Sequence, residues 1–302
     1  MNLKEQYVTT EEGVELFVQK LGQGPQAILI PNGFYLFDAL DSLANGYTLI
    51  FYDPRNRGRS NPISDQSKLK KGINHDVDDI EALRRHFSID KVSLIGHSYM
   101  GVTVALYAMR HPEHTARIVQ IGSMAPDPAK TYPAHLTNLD GTLAEVMAKL
   151  AQLQKERPSQ DAKQFCRKFW SILCEIYVAN PAAARKLNWD PCDLPNEINF
   201  PKQWNALVLP SLQNLNLTPQ DFAKAQSPIL AIHGRKDRSS PYGASRDWAQ
   251  SLPNARLLTL DEAAHVPWIE YPDQFRSALE TFLNGEWPVA SEKVGSLDNQ
   301  SG

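Results

Sequence analysis

The stretch Gly96–Gly101, written GHSYMG, is the first that could do chemistry, because a serine stands there between two apolar runs. The run before it, Val92–Ile95, predicts a buried strand, and the run after it, Val102–Met109, predicts a helix. A serine on a sharp strand-to-helix bend projects its hydroxyl above the sheet, as a nucleophile in a G-x-S-x-G turn does. Ser98 is therefore the candidate nucleophile. Met100 departs from the pattern, because the small residue comes one place later.

A serine hydroxyl needs a base to take its proton, and the base needs an acid to orient it. His265 follows the apolar run Leu257–Leu260 and a short loop, so it lies just past a predicted strand. Asp237 follows the run Ile229–Ile232, in the turn HGRKD. The carboxyl ends of parallel strands share one edge of a sheet, and these side chains can meet there. Asp127, which also follows a predicted strand, is the alternative acid.

Short β-branched runs alternate with amphipathic patterns along much of the chain. This alternation, with short loops, predicts a mostly parallel sheet covered by helices on both faces. The predicted strands are Val14–Val18, Ala27–Ile30, Thr48–Tyr52, Val92–Ile95, Ile118–Ile121, Ile229–Ile232 and Leu257–Leu260, and the flanking helices include Asp76–Phe87 and Asp273–Leu283.

The alternation stops near residue 123 and resumes near residue 227. This break predicts an α/β core made of residues 1–123 and 227–285, with an inserted segment, 124–226, that carries helices and no strands. The end of the chain, 286–302, is polar with little periodicity and predicts a disordered tail.

The inserted segment is rich in aromatic residues, including Trp170 and Trp204. Most of them suit a second small core, and a few could face a substrate if the segment forms a lid over the sheet edge. Its predicted helices are Thr142–Glu156, Asp161–Ala179 and Phe200–Leu212.

The chain has 302 residues and a formal net charge of −3, which argues against a general nucleic-acid or anionic-membrane binder. No run of about 18 apolar residues predicts a membrane span. The N-terminus lacks the apolar core of a signal peptide, which predicts a cytoplasmic protein. Arg55, Arg57 and Arg59 suggest salt bridges that stabilise the loop more than a phosphate site.

The three cysteines, Cys166, Cys174 and Cys192, suggest free thiols in a reducing compartment. On one helix, Cys166 and Cys174 would lie about 12 Å apart. A disulfide needs Cα atoms within about 7 Å, so that pair is excluded. No Cys/His cluster has the spacing of a zinc site, and we expect no metal and no cofactor.

The order Ser98, Asp237, His265, the segment YDPRNRGRS at 52–60 and the segment HVPWIEYPDQF around the histidine resemble the α/β-hydrolase superfamily, in its lidded serine-hydrolase branch. The resemblance covers roughly residues 10–125 and 225–284. It implies a mostly parallel eight-stranded sheet with flanking helices, an inserted helical lid, and a triad of the three residues named.

The resemblance also implies an oxyanion hole. The family usually has His-Gly after the strand that precedes the first helix, where this chain has Pro31–Phe34. The backbone N–H groups of Phe34 and Tyr99 would be the donors. The residues expected to line the substrate pocket are Phe34, Tyr35, Tyr99, Trp170, Trp204 and Trp268.

These features predict a serine hydrolase that cleaves a small to medium hydrophobic carboxylic ester through an acyl-enzyme. Within the superfamily, an aminopeptidase of the proline iminopeptidase kind, a lactonase and a carbon–carbon hydrolase remain open. A ligand-binding receptor that retains the triad is the alternative of another class. The expected partner is a small-molecule substrate, and the sequence does not determine the oligomeric state.

Overall fold

The computed structural model describes residues 2–138, 140–156, 161–187 and 191–295. Strands and helices alternate in this part of the chain. The strands are β1 (Lys4–Thr9), β2 (Glu15–Leu21), β3 (Ala27–Pro31), β4 (Thr48–Tyr52), β5 (Val92–His97), β6 (Thr115–Ile121), β7 (Ile229–Gly234), β8 (Ala255–Leu260) and β9 (Ser291–Glu292). The helices are α1 (Gly33–Leu40), α2 (Ile73–His86), α3 (Tyr99–Arg110), α4 (Thr142–Glu156), α5 (Ala162–Leu173), α6 (Phe200–Gln203), α7 (Leu209–Gln213), α8 (Pro219–Phe222), α9 (Tyr242–Ser251), α10 (Pro267–Glu270) and α11 (Pro272–Leu283).

The chain forms two compact units. The first consists of Met1–Leu94, Gly141–Glu175 and Leu187–Leu215. The second consists of Ile95–Asp140, Ile176–Lys186 and Asn216–Gly302.

The first unit contains the strand order β1-β2-β4-β3-β5, with the first half of β5. β2 pairs antiparallel with β1 and β4, whereas β3 pairs parallel with β4 and β5. In α2, Ile73, Val77, Ile80 and Leu83 are fully buried, because their spacing of three to four residues places them on one helix face. The sequence did not predict β1, since this polar strand exposes all its side chains except Val8.

The second unit contains the second half of β5 and continues in the order β5-β6-β7-β8-β9. β7 pairs parallel with β6 and β8, and every residue of β7 is buried. In α3, every residue from Tyr99 to Met109 is buried. A helix that is apolar all round belongs in a core, so the bend that precedes α3 rests on a firmly packed element.

The end of the chain differs from the expected disordered tail. Residues 291–292 form β9, which pairs antiparallel with β8 and makes nine strands in the described part of the chain instead of the expected eight. Trp287 packs against Phe282 with ring centroids 5.1 Å apart. The predicted disorder is therefore wrong over 286–295, because one aromatic anchor and one short pairing order this segment. Residues 296–302 lie outside the described residues.

The inserted segment carries helices and no strands in its described residues, as predicted. α4 has the predicted bounds. α5 begins after Asp161, whose side chain accepts hydrogen bonds from the N–H groups of Lys163 and Gln164, and it ends six residues before the predicted Ala179. Parts of the segment belong to each of the two units, and its role as a lid stays a prediction. Every described helix is too short or too polar to cross a lipid bilayer.

The expectation of three free thiols is wrong. Cys166 of α5 and Cys192 form a disulfide with Cα atoms 5.8 Å apart. Of the three cysteines, only Cys174 is a free thiol, and it is buried. The excluded pair, Cys166 with Cys174, is indeed not bonded. The chain must fold back on itself to bring these two cysteines together, and no local sequence pattern predicts such a reversal. Disulfides are rare in reducing compartments, so this bond removes one basis of the cytoplasmic prediction.

We expect the double variant Cys166→Ser/Cys192→Ser to lose roughly 3 kcal/mol of unfolding free energy, because the bond closes a loop between residues 26 positions apart. Urea unfolding under non-reducing conditions measures this loss. Dithiothreitol should destabilise the wild-type protein by a similar amount and leave the double variant unchanged. The variant Cys174→Ala, which retains the bond, is the control and should respond to reductant as the wild type does. A wild-type midpoint that ignores reductant would contradict the assignment.

Candidate active site

Ser98 is the single residue between the end of β5 and the start of α3, and its backbone is strained, with φ 59° and ψ −128°. A non-glycine residue in such a conformation costs about 1–3 kcal/mol and persists only where surrounding contacts enforce it. Its N–H donates to the carbonyl oxygen of Ile121 at 2.9 Å, and its own carbonyl accepts from the N–H of Gly101 at 2.9 Å. The hydroxyl-bearing side chain remains partly exposed.

Two glycines allow this bend. A Cβ at Gly96 would lie 2.3 Å from the carbonyl oxygen of Met100, and a Cβ at Gly101 would lie 2.7 Å from the side chain of Ser123. The close approach to another segment therefore falls on Gly101 and not on the residue before it. This explains why a methionine is tolerated at position 100, where its side chain is fully buried.

His265 and Asp237 form a buried pair in the second unit. Nδ1 of His265 lies 2.7 Å from Oδ2 of Asp237, and both side chains are fully buried. The other carboxylate oxygen, Oδ1, accepts hydrogen bonds from the N–H groups of Ser239 and Ser240, at 2.8 Å each. Asp237 follows β7 and His265 follows β8, as the sequence predicts.

Burial alone would raise the pKa of Asp237, but attraction to His265 and hydrogen bonds from His233 and His265 outweigh it and hold that pKa below its ordinary range. An ionised carboxylate only accepts hydrogen bonds, so Nδ1 of His265 carries a proton. In the neutral ring the lone pair is then on Nε2. That buried atom has no hydrogen-bond partner among the described residues, and the arrangement therefore suits a base.

The serine bend and the His–Asp pair both lie against two consecutive residues, Ile121 and Gly122. Ile121 accepts the hydrogen bond from Ser98, and the next residue is Gly122, with φ +51°. A Cβ at Gly122 would lie 3.0 Å from Nδ1 of His265 and 3.3 Å from Oδ2 of Asp237. The structure thus brings the three predicted residues to one place at the end of β6.

Asp127 does not join this group. It is exposed, and its carboxylate accepts the N–H of Ala129 at 2.9 Å within its own turn. The alternative acid of the sequence analysis is therefore a local turn residue.

The sequence did not predict the role of two residues that hold the His265 loop. Tyr177 accepts the N–H of His265 on its carbonyl at 3.1 Å, and the two rings lie 4.9 Å apart. The carboxylate of Glu270 accepts the N–H groups of Ala264 at 2.7 Å and Ala179 at 2.8 Å. Glu270 therefore ties the histidine loop to the segment around Tyr177. Its only sequence signal was its place in HVPWIEYPDQF, five residues after the histidine.

His97 and His233 complete the surroundings of the pair. Burial, and then the charge of His265, lower the pKa of His97 well below its ordinary value, so its ring is neutral at pH 7. Its Nε2 lies 3.0 Å from the carbonyl oxygen of His265, and Trp268 packs edge-on against its ring at 4.8 Å. Nε2 of His233 lies 3.3 Å from Oδ2 of Asp237.

One expected oxyanion donor is already in use. The N–H of Phe34 donates to Oδ1 of the buried Asp53 at 3.0 Å. The expectation that this N–H points into an oxyanion hole is therefore not met in this structure. Tyr99 is the first residue of α3, where backbone N–H groups have no partner within the helix.

The expected substrate residues fall into different units. Trp268 and Tyr99 belong to the second unit, and Phe34, Tyr35, Trp170 and Trp204 belong to the first. In the first unit, Trp170 stacks on Phe200 at 6.1 Å and is only 5% exposed, which indicates a packing role. Trp204 also contacts Phe200, at 6.0 Å, and is more exposed.

The arginines after β4 make salt bridges, as expected. Each guanidinium contacts a carboxylate through two nitrogens, within 3.1 Å, and this leaves little capacity for phosphate. The pairs are Arg55 with Asp79, Arg57 with the fully buried Glu197, and Arg59 with Asp53.

We expect Gly122→Ala to disrupt the pairing of His265 with Asp237, because the added methyl would press on Nδ1. The measurement is the low-field proton resonance of the Nδ1–H···O hydrogen bond in ¹H NMR, which should shift or disappear. Gly141→Ala is the matched control, since Gly141 also has a positive φ, +88°, but an added Cβ there would meet nothing within 4 Å. Both variants bear a backbone cost of about 1–2 kcal/mol, because an alanine is placed at a positive φ. Equal spectra for the two variants would contradict the prediction.

Comparison with known proteins agrees with this architecture. A family model described as the alpha/beta hydrolase fold matches residues 27–272. A mouse protein named serine hydrolase BPHL is 23% identical over 90% of this chain and 84% of its own length. The non-heme chloroperoxidase CPO-A1 of Kitasatospora aureofaciens is 27% identical over 91% of this chain and 98% of its own.

Among solved structures, an esterase from Exiguobacterium antarcticum superposes with a TM-score of 0.70, covering 93% of this chain and all of the esterase chain. Its sequence identity of 18% means that this likeness shows the fold alone. The family match spans most of the chain, including the serine bend, the histidine and the aspartate, and the chain therefore belongs to the alpha/beta hydrolase fold family.

Proposed function

We propose that the protein is a serine hydrolase that cleaves small to medium hydrophobic carboxylic esters through an acyl-enzyme. The observation that carries the proposal is the buried hydrogen bond of 2.7 Å between His265 and Asp237, beside the strained bend of Ser98. This bond leaves Nε2 of His265 as the proton acceptor that a serine nucleophile needs. A small-molecule substrate is the proposed partner.

In the proposed reaction, Oγ of Ser98 attacks the ester carbonyl carbon while its proton passes to Nε2 of His265. The tetrahedral intermediate collapses, and the alcohol leaves with the proton from Nε2. A water molecule then attacks the acyl-enzyme, with His265 again taking a proton. The carboxylic acid leaves and Ser98 regains its hydrogen. Asp237 holds the ring and stabilises the imidazolium in both steps.

The oxyanion of each intermediate needs backbone donors. We propose the N–H of Tyr99 as one donor, because it lies at the N-terminus of α3, next to the nucleophile, where the helix dipole favours negative charge.

The choice of a hydrophobic substrate rests on the apolar and aromatic character of the inserted segment. The serine hydrolase and the esterase among the similar proteins are compatible with an ester as the bond that is cleaved. A proline iminopeptidase-like enzyme would need a carboxylate for the substrate amine. The sequence offers Glu145 and Glu175 of the inserted segment for that role. Glu175 is paired with Lys149 at 2.6 Å on the surface. A lactonase or carbon–carbon hydrolase would use the same three residues, and a panel of substrates separates these activities.

We expect a fluorophosphonate probe to label Ser98, and Ser98→Ala to abolish labelling and lower ester turnover by several orders of magnitude. Ser88→Ala is the matched control, because Ser88 also has a positive φ, 53°, but no histidine base is assigned to it. A receptor that retains the triad would take up the label and release product at most once. Labelling that survives in Ser98→Ala would refute the assignment of the nucleophile.

We expect Asp237→Asn to lower kcat by about ten-thousandfold, because an amide holds the wrong tautomer of the histidine ring. Asp127→Asn, which changes only an exposed turn, should retain activity within a few-fold. Steady-state kinetics with p-nitrophenyl esters measures both, and circular dichroism checks that each variant folds. If Asp127→Asn were the inactive variant, the acid would have to be reassigned.

The lowered pKa of Asp237 also predicts how stability depends on pH. A carboxyl group whose folded pKa is depressed stabilises the fold above its unfolded pKa of about 3.9, and this contribution is lost as pH falls toward the folded value. We therefore expect the difference in unfolding free energy between wild type and Asp237→Asn to shrink as pH falls below about 4. Urea unfolding at a series of pH values measures it, and a constant difference would contradict the ionised state.

A further inference from the structure

We propose that Glu12, His75 and Asp78 bind a divalent transition-metal ion such as Zn²⁺. Glu12 lies in the turn between β1 and β2, and the other two residues lie three apart on the first turns of α2, where that spacing places them on one face. Each of the three offers one ligand atom, and these atoms lie within 4.8 Å of one another. The proposal concerns the first unit and does not depend on the hydrolase mechanism.

The imidazole of His75 is the strongest indication of a ligand. The residue is 1% exposed, and neither ring nitrogen has a hydrogen-bond partner among the described residues. Buried polar atoms almost always have partners, so two unpartnered nitrogens in one ring call for an explanation.

The position of Nδ1 of His75 suggests an explanation for these unpartnered nitrogens. It lies 3.2 Å from Oε2 of Glu12 without the geometry of a hydrogen bond. Two ligands of a tetrahedral zinc ion, each about 2.1 Å from the metal, are about 3.4 Å apart. The two atoms are therefore spaced as ligands of one ion.

The chemistry of the donor set also suits a transition metal. One imidazole nitrogen with two carboxylate oxygens favours Zn²⁺, Co²⁺ or Ni²⁺ over Mg²⁺ and Ca²⁺.

Lys71 now supplies the positive charge at this place. Its Nζ lies 3.3 Å from Oε1 of Glu12 and 3.2 Å from Oδ2 of Asp78. The side chain of Lys71 is 54% exposed, so it can turn into solvent, and exposed ion pairs of this kind contribute little to stability. A metal ion would replace the ammonium group between the same two carboxylates. Arg55 donates to the same oxygen, Oε2 of Glu12, at 2.7 Å, and a carboxylate oxygen has a second lone pair that can bind the metal.

The test uses the untagged full chain, first treated with a chelator and then dialysed. Calorimetry with ZnCl₂ measures affinity, and the visible spectrum of added Co²⁺ reports coordination. We expect Asp78→Asn and His75→Gln to weaken Zn²⁺ binding at least about tenfold. Asp78 is on the surface, so Asp78→Asn tests the site even if His75→Gln fails to fold. Zn²⁺ should raise Tm in the wild type more than in Asp78→Asn, because it links the hairpin turn to α2.

The variant Lys71→Met removes the competing charge and should tighten binding by about tenfold. His86→Gln, an exposed histidine on the same helix, is the matched control and should bind as the wild type does. The proposal is overturned if the wild type binds neither Zn²⁺ nor Co²⁺ at millimolar metal. Equal affinity in the wild type and Asp78→Asn would show adventitious binding elsewhere and would overturn it as well.

Discussion

The chemistry proposed for this chain depends on one buried hydrogen bond, from Nδ1 of His265 to Asp237. It determines which ring nitrogen carries the proton, and hence which nitrogen is the base. A buried carboxylate is costly to ionise unless several donors satisfy it. The backbone N–H groups of Ser239 and Ser240 satisfy Oδ1, and His233 lies beside Oδ2. The loop after β7 therefore serves mainly to keep the buried carboxylate of Asp237 ionised.

The serine bend is likewise an unfavourable local state that surrounding contacts maintain, and here the cost is backbone strain instead of a buried charge. The conformation of Ser98 is unfavourable by itself, and it is held by bonds to Ile121 and Gly101 and by the packed helix that follows. Gly122 is next to Ile121, and a side chain there would press on the histidine, so the strained bend and the charged pair adjoin the same short stretch of backbone. A substitution in this short segment would disturb both at once.

In the first unit, the inserted segment is attached by buried polar contacts. Glu197 is fully buried and accepts hydrogen bonds from Arg57 and from the N–H of Gly58, in the loop after β4. The disulfide at Cys192 lies five residues earlier and ties the same stretch to α5. A buried ion pair adds little net stability, but displacing one partner is strongly destabilising, because it leaves an uncompensated buried charge. The contacts therefore specify where this segment lies.

The sequence by itself determined most strands, the main helices, the bend at Ser98 and the order of the three candidate residues. These features depend on periodicity and on backbone demands within a few residues. The tertiary structure alone decided that Cys192 bonds Cys166, that Glu270 holds the histidine loop, and that Asp53 takes the N–H of Phe34. Such contacts join positions far apart in the chain or depend on the direction of one N–H group. Neither property produces a periodic pattern in the sequence, so only the folded arrangement of the chain could reveal these contacts.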